Sequence, residues 1–278
     1  MTLTSSIQTR ATLARRRGQD GLPRGVLLGT EIAVPVALLA LWWFASAGST
    51  NAFFPPLQTI LQRLWQLAQT PAFLLDIVSS VSNLVVSFLL ATVVGVLLGL
   101  LLGLVRPLSW FAEPTIHFFR AIPPVALVPI FVSLIGFGTE TRILSITLAA
   151  VFPILISTID GVRAGEPTLE MVSRVYRLSA GERLFSVMLP AASPRILSGM
   201  QVSLITAFVV MIASEMLGSS TGLGAATLLA QQSFAIPDMW AGILVLGVIG
   251  YTATAVFTLF RRRVLRWYIA SQQQEKNA

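Results

Sequence analysis

No cysteine occurs in the 278 residues, histidine and lysine occur once each as His117 and Lys276, and only 11% of the chain is charged. Without cysteine, a disulfide framework, a zinc finger, an iron–sulfur cluster and a thiol nucleophile are all excluded. A lone histidine does not build a histidine-rich metal site. A phosphate-binding loop requires Gly-x-x-x-x-Gly-Lys-Ser/Thr, and no such run exists, so the chain does not hydrolyse ATP through a P-loop. Soluble chains carry about 25% charged residues. This one cannot coat a water-facing surface with charge, which excludes a soluble domain, a disordered chain and a fibrous repeat. What is present is 55% hydrophobic residues and a mean hydropathy of +0.79. The class that remains is an all-α integral membrane protein of several helices.

A bilayer core of about 30 Å takes roughly 20 apolar residues in a helix. Apolar runs predict six spans, over 26–47, 74–105, 111–137, 142–159, 196–217 and 239–260. The first ends in Trp42-Trp43-Phe44, an interfacial aromatic cluster. A cleavable signal peptide is the competing reading, but a signal core has about 7–15 apolar residues. This run is longer and contains Glu31 and Pro35, so it reads as a retained helix.

The basic residues then set the orientation. With both termini cytoplasmic, seventeen of the 19 Lys and Arg residues fall inside and only Arg63 and Arg142 outside. That is the positive-inside pattern of a membrane protein. It accounts for the pI near 11.2 without a nucleic-acid partner. The expected organisation is a basic cytoplasmic tail over 1–25, a six-helix domain over 26–260 with a cytoplasmic loop at 163–195, and a cytoplasmic tail over 261–278.

Gly95, Gly99 and Gly103 recur every four residues in the second span and leave one face smooth for a neighbouring helix. Packing inside one subunit is favoured over a dimer contact. Prolines interrupt several spans, at Pro35, Pro123, Pro124, Pro129 and Pro153. In lipid, the freed backbone groups need protein or water partners, so broken helices favour a transport path.

The loop between the fourth and fifth spans is the one long charged stretch in the hydrophobic part. Pro167 suits a first helical turn, Glu166 and Glu170 sit near its positive end, and Arg174 and Arg177 lie further along. Met171, Val175 and Leu178 form an apolar stripe at helical spacing. Gly181 is expected to break this helix, and Leu189-Pro190 with Pro194 to close the segment before the fifth span. Such a cytoplasmic amphipathic helix either lies on lipid or docks into a soluble partner.

The run Val187-Met-Leu189-Pro190-Ala-Ala-Ser-Pro194-Arg-Ile196-Leu-Ser-Gly199 resembles the later half of the Glu-Ala-Ala loop of bacterial ABC importer permeases. The earlier half departs from that pattern. Arg177 stands at the position of the family glycine, Met171-Val172-Ser173 stand for Glu-Ala-Ala, and Glu170 is one residue early. Phe54-Pro55-Pro56, Arg120-Ala-Ile-Pro123-Pro124-Val-Ala-Leu-Val-Pro129 with Gly136-Phe-Gly138, and Ser214-Glu215-Met216 with Gly222-Leu-Gly224 resemble the nitrate, sulfonate and taurine branch. Together these segments cover roughly residues 30 to 268.

The resemblance implies a type I permease fold and a chain that is not itself an enzyme. It implies two permease copies and two separate ATPase subunits that bind ATP and Mg, with no cofactor in this chain. An extracytoplasmic binding protein would deliver a small anion or zwitterion at the bacterial inner membrane. Glu170, Met171, Ser173, Arg174, Val175, Arg177, Leu178, Gly181, Leu189 and Pro190 would then serve the ATPase contact. Arg120, Pro123, Pro124, Ser214 and Glu215 are the candidates for the path or its gate. Glu215 is an acid inside a span, and such acids are expensive and functional by default. A secondary transporter or channel without an ATPase is the principal alternative. A membrane-embedded enzyme is disfavoured, because the spans contain no carboxylate cluster, metal-ligand set or nucleophile–base pair.

Overall fold

A stripe of small residues organises the helical core. In the computed structural model, which describes residues 24–165, 171–173 and 175–268, α3 (Pro71–Leu104) lies along α6 (Thr139–Arg163). A Cβ added at Gly95, Gly99 or Gly103 would stand 2.9, 2.5 and 2.9 Å from the Cβ atoms of Ile154, Thr158 and Val162. The glycine stripe is thus a contact within the chain, matching the spacing of α6 residues four apart. An adjacent face of α6 receives α7 (Ala180–Gly218), where Gly199 meets Ser157 and Ala192 meets Gly161. Ser203 adds a hydrogen bond of 2.6 Å from its hydroxyl to the Ala150 carbonyl. Ile146, Ala149, Ala150 and Ile154 are buried between the two neighbours.

Overpacking a filled helix contact costs about 1–3 kcal/mol. Gly99→Val is therefore expected to lower the thermal midpoint of the purified protein and its membrane abundance. Gly247→Ala, with no atom within 4 Å of the new Cβ, should leave both unchanged. Fluorescence-detected gel filtration after heating compares the two.

Among the described residues, α3, α6, α7 and α9 (Ile236–Val264) are each long and apolar enough to cross a bilayer. A fifth crossing is counted if α4 (Arg106–Ala121) and α5 (Val128–Ile135) are taken together through the 3₁₀ turn Pro124–Leu127. The expected count of six additionally involves α1 (Arg24–Ser46), whose 23 residues extend about 35 Å.

The third span is interrupted at Pro123 and Pro124, as the sequence predicts: α4 and the following segment meet at 85°. Ile122 and Pro123 each precede a proline, which drives them out of the α region, and both are extended (ψ 124° and 119°). One expected boundary is corrected: the helix that carries the fifth span does not start near Ile196 after a loop but begins at Ala180. Leu189-Pro190 and Pro194 were expected to close the segment before that span. Instead, residues Arg183–Met188 widen into a π turn just before Pro190. The Pro190 carbonyl, which Pro194 cannot pair, accepts the Ser193 hydroxyl at 2.8 Å.

The chain divides into two units at Thr59 and Ile60. In the first, Ser46 accepts the Leu57 amide at 3.1 Å and the Asn51 side chain accepts the Phe53 amide at 2.9 Å, which shapes the turn around Phe54-Pro55-Pro56. In the second, Arg63 of α2 (Leu57–Leu67) pairs with Asp238 in the first turn of α9. α8 (Leu223–Gln232) joins α7 to α9.

Candidate functional site

Three places carry the residues singled out in the sequence. The first is the loop after α6. Residues 171–173 and 175 are helical, and the helix ends at Tyr176 and Arg177, not at Gly181 as expected. Arg177 adopts φ 51°, and the Leu178 amide reaches back to the Ser173 carbonyl at 3.0 Å. This is the six-to-one bond of a Schellman ending, with Arg177 at the left-handed position that usually holds glycine. The family glycine position is thus a backbone requirement that arginine meets here at a cost. Arg177→Gly is expected to leave folding intact and raise the thermal midpoint slightly, whereas β-branched Arg177→Val, with a side chain still less suited to positive φ, should lower it.

Leu178 lies beyond the helix and is half-buried, so it is not part of the expected apolar stripe. The exposed apolar side chains are Met171, Val172, Val175 and Tyr176, with Val175 79% and Tyr176 75% accessible. Ser173 points inward and is buried. Glu170 and Arg174 lie outside the described residues. Gly181 sits inside the first turn of α7, which Ser179 and Glu182 close as a reciprocal capping box. Leu189 and Pro190 belong to the body of α7, half-buried behind the π turn. Val172 and Tyr176 went unselected because a stripe of period 3.6 does not reveal where the helix stops.

The second place is a cleft of about 360 Å³ at mid-depth on α6. Phe119, Arg120, Ile122 and Pro124 form one wall, and Ser145, Phe152 and Ser157 of α6 with Thr206 of α7 form the other. Arg120 and Pro124 are therefore brought together as candidates for a path, and Pro123 stands at the bend beside them. Arg120 is the one charged residue in this lining. It was placed with the cytoplasmic arginines on sequence grounds, yet α4 carries it about 20 Å along its axis from Arg106. Ser214 does not reach the cleft; its hydroxyl donates to the Met211 carbonyl of its own helix.

The third place lies at the end of the bundle away from the 171–176 segment. Glu215 is fully buried on α7. One carboxylate oxygen accepts the Ser80 hydroxyl at 2.8 Å and the Gly224 amide at 2.9 Å. Ser80 in turn accepts the Leu223 amide at 2.9 Å, and Asp76 accepts that of Gly222 at 2.7 Å. Buried Arg142 donates to the Thr221 carbonyl at 3.1 Å. Four side chains from α3, α6 and α7 thus hold the backbone of residues 221–224. Gly222 (φ 108°) and Gly224 are required there, since a Cβ on either would stand 2.5 and 2.8 Å from Glu215 atoms. Sequence reasoning found Glu215 but not Asp76, Ser80 and Arg142. The two charged partners carried the same signal as Glu215, a charge inside or beside an apolar run.

The chain is similar to known proteins over most of its length. The model of the family described as "binding-protein-dependent transport system inner membrane component" matches residues 91–268. The putative aliphatic sulfonates transport permease protein SsuC of Bacillus subtilis (strain 168) is 29% identical over 253 residues, covering 90% of each chain. The taurine transport system permease protein TauC of Escherichia coli (strain K12) is 26% identical over 245 residues, covering 86% of this chain and 89% of its own. An inward-facing structure of the MetNI methionine ABC transporter superposes with a TM-score of 0.59 at 21% identity, covering 67% of this chain and 93% of that one. The helical fold is therefore that of a type I ABC importer permease, and the chain belongs to the binding-protein-dependent transport system inner membrane component family.

Proposed function

We propose that the chain is the permease subunit of an ATP-driven importer. Two copies enclose a path for a small sulfonate-type anion or zwitterion, and the 163–195 loop couples each copy to a separate ATPase subunit that binds ATP and Mg. An extracytoplasmic binding protein delivers the substrate. In this reading both termini and the loop lie in the cytoplasm of the bacterial inner membrane, as the sixteen-to-two distribution of the basic residues other than Arg120 favours.

The observation that carries the proposal is the exposed apolar segment Met171, Val172, Val175 and Tyr176, presented by a short helix next to Arg177 and Arg183. An apolar ridge on a charged cytoplasmic loop fits a protein groove in the helix-in-groove manner. The names of SsuC and TauC, and the single cation Arg120 in the cleft, support a substrate with an anionic head. ATP closure of the partner subunits draws the loops together and turns the cleft outward, and hydrolysis returns it inward, a shift between two discrete states.

The test is reconstitution in liposomes with an ABC ATPase subunit and an extracytoplasmic binding protein that co-purify with this chain. The expected result is ATP-dependent accumulation of a labelled alkanesulfonate or of taurine. Uptake by the chain alone, driven by an ion gradient and indifferent to ATP, would sink the reading in favour of a secondary transporter.

A further inference from the structure

We propose that Glu113 and Arg163 are positioning residues that fasten α4 to the base of the 163–195 loop, making α4 the arm that carries loop movement to the cleft. The proposal rests on the coupling role assigned above. Arg163 is the last residue of α6, immediately before the loop, and its guanidinium stands 2.9 Å from the Glu113 carboxylate. Ser109 sits beneath both. Its hydroxyl donates to the same carboxylate oxygen at 3.0 Å and accepts from the second guanidinium nitrogen of Arg163.

Little else seats α4. Ser109 is the one fully buried residue among its 16, while Trp110, Phe111 and Phe118 are exposed. Between α4 and the face of α3 and α6 runs an apolar cleft of about 480 Å³, lined by Leu98, Leu102, Ile116, Leu148 and Phe152. A close-packed helix leaves no such space. α4 is therefore tied at the loop end and loosely seated along its length. At its far end Ile122 and Pro123 form the 85° bend, two residues beyond Arg120 on the wall of the 360 Å³ cleft. Seven residues separate Glu113 from Arg120, about 10 Å along the axis. When the end of α6 moves with the loop, the tie draws the start of α4 with it, and α4, which carries Pro114 in its interior and bends at 122–123, turns its Phe119 and Arg120 wall relative to α6.

Exposed ion pairs contribute little to stability, so losing this one should disturb coupling more than folding. The absence of cysteine from the chain means that labels attach only where cysteines are introduced. Spin labels at Phe111→Cys on α4 and Val209→Cys on α7 report the swing of α4 in the complex of permease and ATPase, nucleotide-free and trapped with ATP and vanadate. In the otherwise wild-type chain the distance is expected to shift by about 5 Å between the two states, a swing of roughly 20° at a point about 16 Å from the bend. Glu113→Gln should reduce that shift at least threefold and lower substrate imported per ATP hydrolysed about threefold to tenfold, at unchanged membrane abundance. The exchanged pair Glu113→Arg with Arg163→Glu should restore both. An unchanged shift and unchanged import per ATP in Glu113→Gln, or an exchanged pair no better than the single variants, would overturn the proposal. No response to nucleotide in the otherwise wild-type chain would instead bring down the importer reading, and the arm with it.

Discussion

Val175→Asp is expected to reduce ATP-dependent uptake to about one-thirtieth or less while the protein remains in the membrane at normal abundance. Val175 is 79% accessible on the short helix that ends at Tyr176, so nothing in the chain's own fold relies on it. A carboxylate there meets water in the isolated subunit and costs the fold nothing. In a docked complex it would be buried in an apolar groove without a partner. Central apolar contacts are worth about 2–4 kcal/mol at a hot spot, or roughly 30- to 1,000-fold in association. Tyr176→Asp should behave likewise. Leu178→Asp should instead lose abundance, because Leu178 is half-buried behind the Arg177 turn. Quantitative blotting of membranes beside uptake and ATPase co-purification separates the two patterns. Normal uptake by Val175→Asp would remove the ridge from the coupling role.

That division between Val175 and Leu178 shows where pattern reading stops. The class, the long apolar helices and the glycine contact were all readable, because burying apolar area and packing small residues leave a mark at every third or fourth position. The ends of elements were not. Arg177 gives no glycine signal for a left-handed ending, so the apolar stripe extended one residue too far and the break was placed at Gly181. Pro190 and Pro194 gave a strong stop signal that the π turn and Ser193 neutralise, by widening the helix before one proline and capping the carbonyl orphaned by the other. At Ile122 to Pro124 the same signal was real, because consecutive prolines leave two pre-proline residues extended and nothing restores the helix. The cleft was half-readable: Arg120 and Pro124 were named, whereas Ser145, Ser157 and Thr206 look like any helix hydroxyls until α4 folds across them.

The second large effect concerns Glu215. Glu215→Ala should lower the thermal midpoint by on the order of 10 °C, far more than Ser214→Ala one residue earlier. Removing the carboxylate leaves the Ser80 hydroxyl and the Gly224 amide without their acceptor in a buried site. Each orphaned group costs about 1–3 kcal/mol, and a cavity beneath Gly222 adds to that. A shift of roughly 2–4 °C per kcal/mol applies to domains of 150–250 residues. Glu215→Gln keeps one acceptor oxygen for both donors and places its amide where the other carboxylate oxygen has no hydrogen-bond partner, so its loss should be less than half as large. Because Ser80 relays the Leu223 amide to Glu215, the double variant Ser80→Ala with Glu215→Ala should be far less destabilised than the sum of the single variants, as expected for one connected network. Strict additivity would mean that the two side chains hold residues 221–224 independently. Glu215→Ala that melts like the wild type would mean that Asp76 and Arg142 suffice to hold that segment to the bundle.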